Sequence, residues 1–308
     1  MNKIKSFISL VKKAIVNTAY LNENLEISIK HQICKQHLSN LTMNSDIPGI
    51  SMEEQLDGKQ IIVSLTTYGL RIDTVYLAIE SIFQQSQKAS KVVLYISKKD
   101  FCDEKIPFSL RKQMERGLEI RYVNDIGPYT KLLYALKDYP NDIIITVDDD
   151  YIYPIDTIEK LVRVHSIQPE AVCCHHSRTI TKKDHQRLNN YNSFPQTYPS
   201  NHSLSDNYLA EGFGGVLYPP NALHEDVFKE DLFKKLSPMA DDLWFKAMEL
   251  LNGTPVLQIA RNKSWIYEMS RIESVQDTGL MNVNVTKNKN NSQLKAIFDF
   301  YHLYDRIK

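Results

Sequence analysis

Apolar residues along the chain follow two periods, and the change from one to the other divides it. In the first part they recur at helical spacing. Ile4, Phe7, Ile8, Val11, Ile15 and Thr18 share one helical face, with Lys3, Lys5, Lys12 and Lys13 turned away from it. Residues 1–55 therefore read as a helical extension, in which Asn44 to Lys59, with Pro48, two glycines and few large apolar groups, form a linker. From Gln60 onward, β-branched runs alternate with helical stretches. Ile61 to Leu65, Val92 to Ile96, Leu118 to Val123 and Ile143 to Val147 predict strands. Asp73 is placed to cap a helix carrying Val75, Ile79, Ile82 and Phe83, and further helices are expected over Leu110 to Arg116 and Thr130 to Leu136. Tyr153-Pro154 opens another helix, Ala171 to Cys174 and Val256 to Ile259 predict strands, and Leu294 to Leu303 reads as a closing helix. This alternation predicts an α/β fold over residues 56–308: a doubly wound, mostly parallel sheet flanked by helices, behind the N-terminal helical extension. Two stretches break it. Ser177 to Tyr208, rich in Asn, Ser, His, Tyr and Pro, reads as a long irregular insert suited to an acceptor surface or a lid, and Asp277 to Asn291, rich in Asn and Lys, reads as mobile.

The totals narrow the functional classes. A chain of 308 residues has room for one large α/β domain and a substantial core. Lys+Arg and Asp+Glu are equal at 37 each, so no overall field favours nucleic acid. The four cysteines form no spaced framework, which points to a reducing, cytoplasmic setting. Cys173-Cys174-His175-His176 invites a zinc reading, but neighbours on a strand point to opposite faces, so buried strand positions are expected instead. No apolar run approaches the roughly 20 residues that span a bilayer. The basic amphipathic helix at residues 1–20 suits peripheral contact with an anionic membrane on its inner face. The alternative is packing on its own domain or on a second subunit, as in a homodimer.

The chemistry concentrates at Ile143-Ile144-Ile145-Thr146-Val147-Asp148-Asp149-Asp150. A buried strand that ends in three carboxylates must open into a site, because a sheet interior does not hold unpaired anions. In open α/β sheets ligands bind outside the carboxyl ends of the strands. If the extended geometry persists past Val147, Asp148 and Asp150 project to one side and Asp149 to the other. Two hard oxygen donors on one side suit Mg²⁺ or Mn²⁺, whose remaining ligands are water and phosphate. At the end of the first strand, Thr66, Thr67, Tyr68 and Arg71 stand where a nucleotide would meet the sheet edge, although a hydroxyl-rich strand end is also a plain turn. Lys131 falls in the first turn of a helix, a cation at the positive end of the helix dipole, which is unfavourable unless an anion lies nearby.

Thr146-Val147-Asp148-Asp149-Asp150 resembles the Asp-X-Asp motif of GT-A-fold glycosyltransferases, of the bacterial family 2-like kind, which use nucleotide-diphosphate sugars. The likeness runs in consistent order from Ile61 to Gly253: hydroxyl-rich first loop, helix-start lysine, Asp-X-Asp, a glycine segment in Glu211-Gly212-Phe213-Gly214-Gly215, and an acidic pair, Asp241-Asp242, opening a helix. The resemblance implies that Asp148 and Asp150 hold Mn²⁺ or Mg²⁺. It also implies that Asp100, Lys131, Asp148 and Asp149 contact the nucleotide and its phosphates, and that Gly214 and Gly215 lie beside the donor sugar. In inverting relatives the acidic pair is often Glu-Asp and provides the base. Here it is Asp-Asp, and position favours Asp242 as base with Asp241 orienting it.

The reading that follows is transfer of a sugar from a nucleotide-diphosphate donor, a UDP-sugar in first place, to a hydroxyl of a carbohydrate or lipid-linked glycan. Bacterial surface polysaccharide or glycoconjugate synthesis is the setting the family implies. A sugar-phosphate nucleotidyltransferase has a similar sheet but a glycine-rich basic loop after its first strand, of which only Gly69 and Arg71 are present. A non-catalytic nucleotide- or carbohydrate-binding protein is the third reading.

Overall fold

A computed structural model of the chain describes residues 25–51, 58–260, 269–272 and 289–308. Residues 25–44 are helical and form α1. Strands and helices then alternate: β1 (Ile61–Thr66), α2 (Tyr76–Phe83), β2 (Lys91–Ser97), α3 (Phe108–Met114), β3 (Leu118–Val123), α4 (Thr130–Asp138), β4 (Ile143–Thr146), β5 (Tyr151–Ile152), α5 (Thr157–His165) and β6 (Val172–Cys174). The short strands β7 (Ser177–Thr179), β8 (Lys182–Asp184), β9 (Arg187–Leu188), β10 (Ser203–Ser205) and β11 (Tyr208–Ala210) lead to β12 (Val216–Tyr218). After it come α6 (Glu230–Leu236), α7 (Asp241–Asn252), β13 (Val256–Gln258), β14 (Ser270–Arg271) and α8 (Lys289–Tyr301). No helix among the described residues is long and apolar enough to cross a membrane.

Eight strands make one sheet in the order β10-β13-β6-β12-β4-β1-β2-β3. Four of its seven pairings are parallel (β4-β1, β1-β2, β2-β3 and β13-β6), so the α/β, mostly parallel expectation holds. Both faces are covered, which is why β1 and β4 are continuous apolar runs rather than alternating ones. Ile61, Val63 and Leu65 pack with α2, α3 and α5 through Ile79, Ile82, Leu110 and Leu161. Ile62 and Ile144 look the other way, onto Leu132, Trp244 and Ile297 of α4, α7 and α8.

One departure from parallel order matters most for function. β12 lies antiparallel between β4 and β6, with Val216 opposite Thr146. An antiparallel neighbour begins where β4 ends, so the glycine turn before Val216 is brought alongside the acids that follow Thr146.

Several local expectations change. Asp73 ends a 3-10 turn, Gly69–Asp73, and does not cap α2, whose first flanking residue is Val75. Tyr151–Ile152 pairs with Ser270–Arg271, so α5 starts at Thr157, with the Thr157 hydroxyl bonded to the Pro154 carbonyl. The stretch from Ser177 to Tyr208 is not irregular: β7 pairs with β11, β8 with β9, and β10 closes the sheet edge against β13. Its polar side chains serve the backbone there, as where Asn189 donates to Thr181 and to the Lys182 carbonyl. Residues 45–51 of the expected linker are tied to the body, with Gly49 and Ser51 donating to the carbonyls of Arg116 and Ala89. The helical face drawn from Ile4 to Thr18 and most of the stretch from Asp277 to Asn291 lie outside the described residues; Lys289 to Asn291 belong to α8.

Candidate active site

The site begins where β4 runs out of apolar residues. Val147 is still bound to the sheet, donating to the Ser64 carbonyl, and the chain then turns through Asp149 and Asp150 instead of continuing extended. The turn is fastened from both sides. The Asp148 backbone N–H donates to the Tyr153 hydroxyl at 2.7 Å, and Tyr153 donates to the Phe213 carbonyl at 3.1 Å, while the Asp150 carbonyl accepts from Ile272 at 2.9 Å. Because the backbone turns, the alternation expected of the three acids does not occur. Asp149 and Asp150 share Arg71, at 2.5 and 3.3 Å, whereas Asp148 meets Lys131 at 2.7 Å.

Lys131 joins the two acidic segments. It lies in the first turn of α4, and its ammonium also stands 3.3 Å from Asp241. The start of α4 is held against the start of α7 by Tyr129. That ring is fully buried, stacks on Phe233 with centroids 4.1 Å apart, and donates its hydroxyl to the Ser237 carbonyl. The anion demanded by a lysine at the positive end of a helix is thus supplied by the protein's own carboxylates.

Asp241 and Asp242 form the first turn of α7, with Ala240 as the flanking residue. Both Asp242 oxygens accept from the Gly212 N–H, at 3.2 and 3.3 Å. A Cβ on Gly212 would lie 2.9 Å from the Lys131 ammonium, 3.2 Å from Asp242 and 3.8 Å from Asp148, so Gly212 is the glycine bordering the acids. Gly214 is buried in the same 3-10 turn, and Gly215, at φ +88°, faces Thr157 and Leu161 of α5.

The remaining expected residues are spread over the same sheet edge. Thr67 donates to Asp149 at 2.6 Å, and Thr66 donates to the Tyr95 carbonyl at 2.8 Å. Tyr68 is half exposed with the Arg71 guanidinium over its ring, and Asp100 is exposed in the turn after β2. Sequence reasoning did not single out Glu211, His176, Arg178 or Tyr153. Glu211 is buried with His176 Nδ1 at 2.5 Å, Arg178 Nε at 2.8 Å and the Tyr191 hydroxyl at 3.3 Å. These contacts anchor the turn that aims the Gly212 N–H. The available signal was an acid directly before a glycine cluster.

No protein-family model and no curated protein matches the chain. Among solved structures, S. aureus TarS 1–349 in complex with UDP superposes with a TM-score of 0.43 at 14% identity, covering 66% of this chain and 58% of that one. TarS 1–349 gives 0.45 at 14% over 79% and 72%, and TarS gives 0.46 at 15% over 66% and 35%. The chain therefore spans less than two thirds of the UDP-bound fragment and about a third of TarS.

Electrostatics single out the arrangement. Five carboxylates, Asp148, Asp149, Asp150, Asp241 and Asp242, meet two cations, Arg71 and Lys131. Burial pushes Asp149 up to about 6 against the opposing pull of Arg71. Burial raises Asp241, and it holds Asp242 well above the usual carboxylate range, with Asp241 adding to the effect and Lys131 opposing it. Burial works against the charge on Glu211, yet His176 and Arg178 hold it below its ordinary value. Among the described residues no three His, Cys, Asp or Glu side chains form a metal cage. The donor set is nonetheless oxygen-only and carries surplus negative charge. Mg²⁺ and Mn²⁺ commonly take one or two carboxylates and leave the other positions to phosphate and water. Asp148, the most open of the ion-paired acids with 28% of its side chain exposed, and Asp150 fit that pattern.

Proposed function

We propose that the protein is a metal-dependent glycosyltransferase that moves a sugar from a nucleotide-diphosphate donor to an acceptor hydroxyl. The UDP donor, the carbohydrate or lipid-linked glycan acceptor and the setting in surface-glycan synthesis follow from the sequence resemblance. The observation that carries the reading is convergence. Two acidic segments far apart in the chain meet on one buried lysine at the carboxyl edge of a parallel sheet, with more negative charge than the protein itself neutralises.

Asp148 and Asp150 would hold the Mn²⁺ or Mg²⁺, which when bound offsets charge gathering on the departing diphosphate. Asp242 accepts the proton of the attacking hydroxyl, its carboxylate held by the Gly212 N–H. The acceptor oxygen bonds to the anomeric carbon from the face opposite the breaking bond to diphosphate, so configuration inverts. Asp241 and Lys131 set the charge around Asp242. Arg71, buried against Asp149 and Asp150, fixes their orientation.

A screen of nucleotide sugars with Mn²⁺ tests this. Release of nucleoside diphosphate from one donor is expected, and Asp242→Asn should lower transfer at least 100-fold while leaving nucleotide binding intact. Pyrophosphate release from a nucleoside triphosphate and a sugar phosphate would transfer the assignment to the nucleotidyltransferases. Nucleotide binding without turnover of any donor would leave a binding protein.

A further inference from the structure

We infer that two copies of this chain associate through the outward face of α1, side by side and in the same direction. Leu25, Ile29 and Ile33 are 59%, 51% and 64% exposed, and their four-residue spacing places them on one side of the helix. The helix is already fastened by its other side. Leu38 packs with Leu77, Ala78, Ile152 and Ile272, Cys34 and Leu41 lie against the same cluster, and Thr42 donates to the buried Glu80 at 3.0 Å. The outward stripe therefore contributes nothing to holding α1 on the body, and three consecutive large aliphatic groups in water call for a partner.

The sequence ahead keeps the same phase. Ile4, Ile8, Val11, Ile15, Thr18, Asn22, Leu25 and Ile29 follow one another at alternating intervals of four and three residues, a heptad pattern, with Ile33 flanking its end. Beyond it the stripe turns polar at Gln36 and Asn40. One heptad column holds Ile8, Ile15, Asn22 and Ile29, and the other Ile4, Val11, Thr18 and Leu25. Isoleucines interrupted by a single asparagine in that column suit a two-stranded parallel pairing, where the two asparagines meet and fix the register.

The same asparagine decides between occupants. A lipid surface would have to take Asn22, and Thr18 beside it, into the middle of the apolar face, and an amide without a hydrogen-bond partner is costly to bury. A second copy supplies that partner from its own Asn22. The face is then isologous, the same residues on both sides of a two-fold axis. Lys3, Lys5, Lys12 and Lys13 give an anionic membrane its claim, so it enters the test as the competing occupant.

Sedimentation equilibrium on the full chain across the micromolar range should return twice the 35.7 kDa chain mass. Ile29→Asp should return the single-chain mass with unchanged circular dichroism and melting temperature, because Ile29 takes no part in packing α1 on the body. Under mild oxidation Leu25→Cys should cross-link to its counterpart, while the wild type, whose nearest thiol is Cys34 on the inward side, should not. A single-chain mass throughout overturns the inference, as does a dimer that survives Ile29→Asp. A monomer that sediments with phosphatidylserine vesicles and is released by Ile29→Asp also overturns it, assigning the face to membrane.

Discussion

Lys131 stands where helix electrostatics disfavours a cation, by a few tenths of a kcal/mol up to about 1 kcal/mol, and it is buried there between Asp148 and Asp241. Its charge is what keeps Asp242, raised by burial and by Asp241, from rising further. A general base acts as the carboxylate, so transfer should increase with pH through that raised value. Lys131→Met removes the opposing influence and should move this acid limb to higher pH, with a loss of about tenfold on the acid side for each unit of displacement. The profile of kcat/KM against pH reads the shift, and Lys131→Arg, which keeps the charge, should restore much of it. An unmoved limb in Lys131→Met would separate Asp242 from the base role. Lys131 was legible in the sequence because a charge at a helix end violates a local rule. Glu211 and His176 were not, since their pairing depends on β12 entering the sheet antiparallel, and no local pattern announces that. The paired use of Asp149 and Asp150 on Arg71 escaped for a smaller reason: the strand ends one residue before the first aspartate, and the alternation ends with it.

Among the elements, the strands of the parallel half were the most legible, because burial on both faces leaves an unbroken β-branched run. The stretch from Ser177 to Tyr208 was the least legible: strands of two or three residues at an exposed edge lack the length for a period to show. How α1 is fastened was equally hidden, because it rests on one buried acid. Glu80 on α2 is 0% exposed and takes both guanidinium nitrogens of Arg116, at 2.9 and 3.0 Å, together with Thr42 of α1, Gln84 and Gln113. Arg116 in turn donates to the carbonyls of Ile47 and Leu41 and covers the Phe83 ring. Glu80→Ala leaves a buried guanidinium without its carboxylate and should cost about 3–5 kcal/mol in urea unfolding. It should also open the segment around residues 45–51 to proteolysis before the sheet unfolds. A cost below about 1 kcal/mol, the range of exposed pairs, would mean that apolar contacts alone fasten α1.

On the scale of the whole molecule, positive and negative side chains balance at 37 each, yet one end of one strand gathers five carboxylates around two cations. Such an imbalance is destabilising in a low-dielectric setting unless protons or a bound cation relieve it. The raised values at Asp149, Asp241 and Asp242 are the proton route. A dication is the other, and it gains further if phosphate oxygens complete its coordination. Mn²⁺ and UDP together should therefore stabilise the fold more than the sum of either alone. At ligand concentrations about 100 times the dissociation constant the gain is about 2.7 kcal/mol, a rise of roughly 5 °C in melting temperature for a chain of this size. Chelator should remove most of that rise. Asp150→Ala should erase the difference between Mn²⁺ and chelator while leaving the unliganded protein folded, because it lowers the local surplus of negative charge. UDP that stabilises equally with and without metal would mean that the acids are neutralised by Arg71, Lys131 and protons alone, and the metal would leave the mechanism. The distinction matters because bulk composition could never have shown it. A chain neutral as a whole gives no sign of how its charges are distributed in space, and only the return of α7 to the end of β4 creates the imbalance.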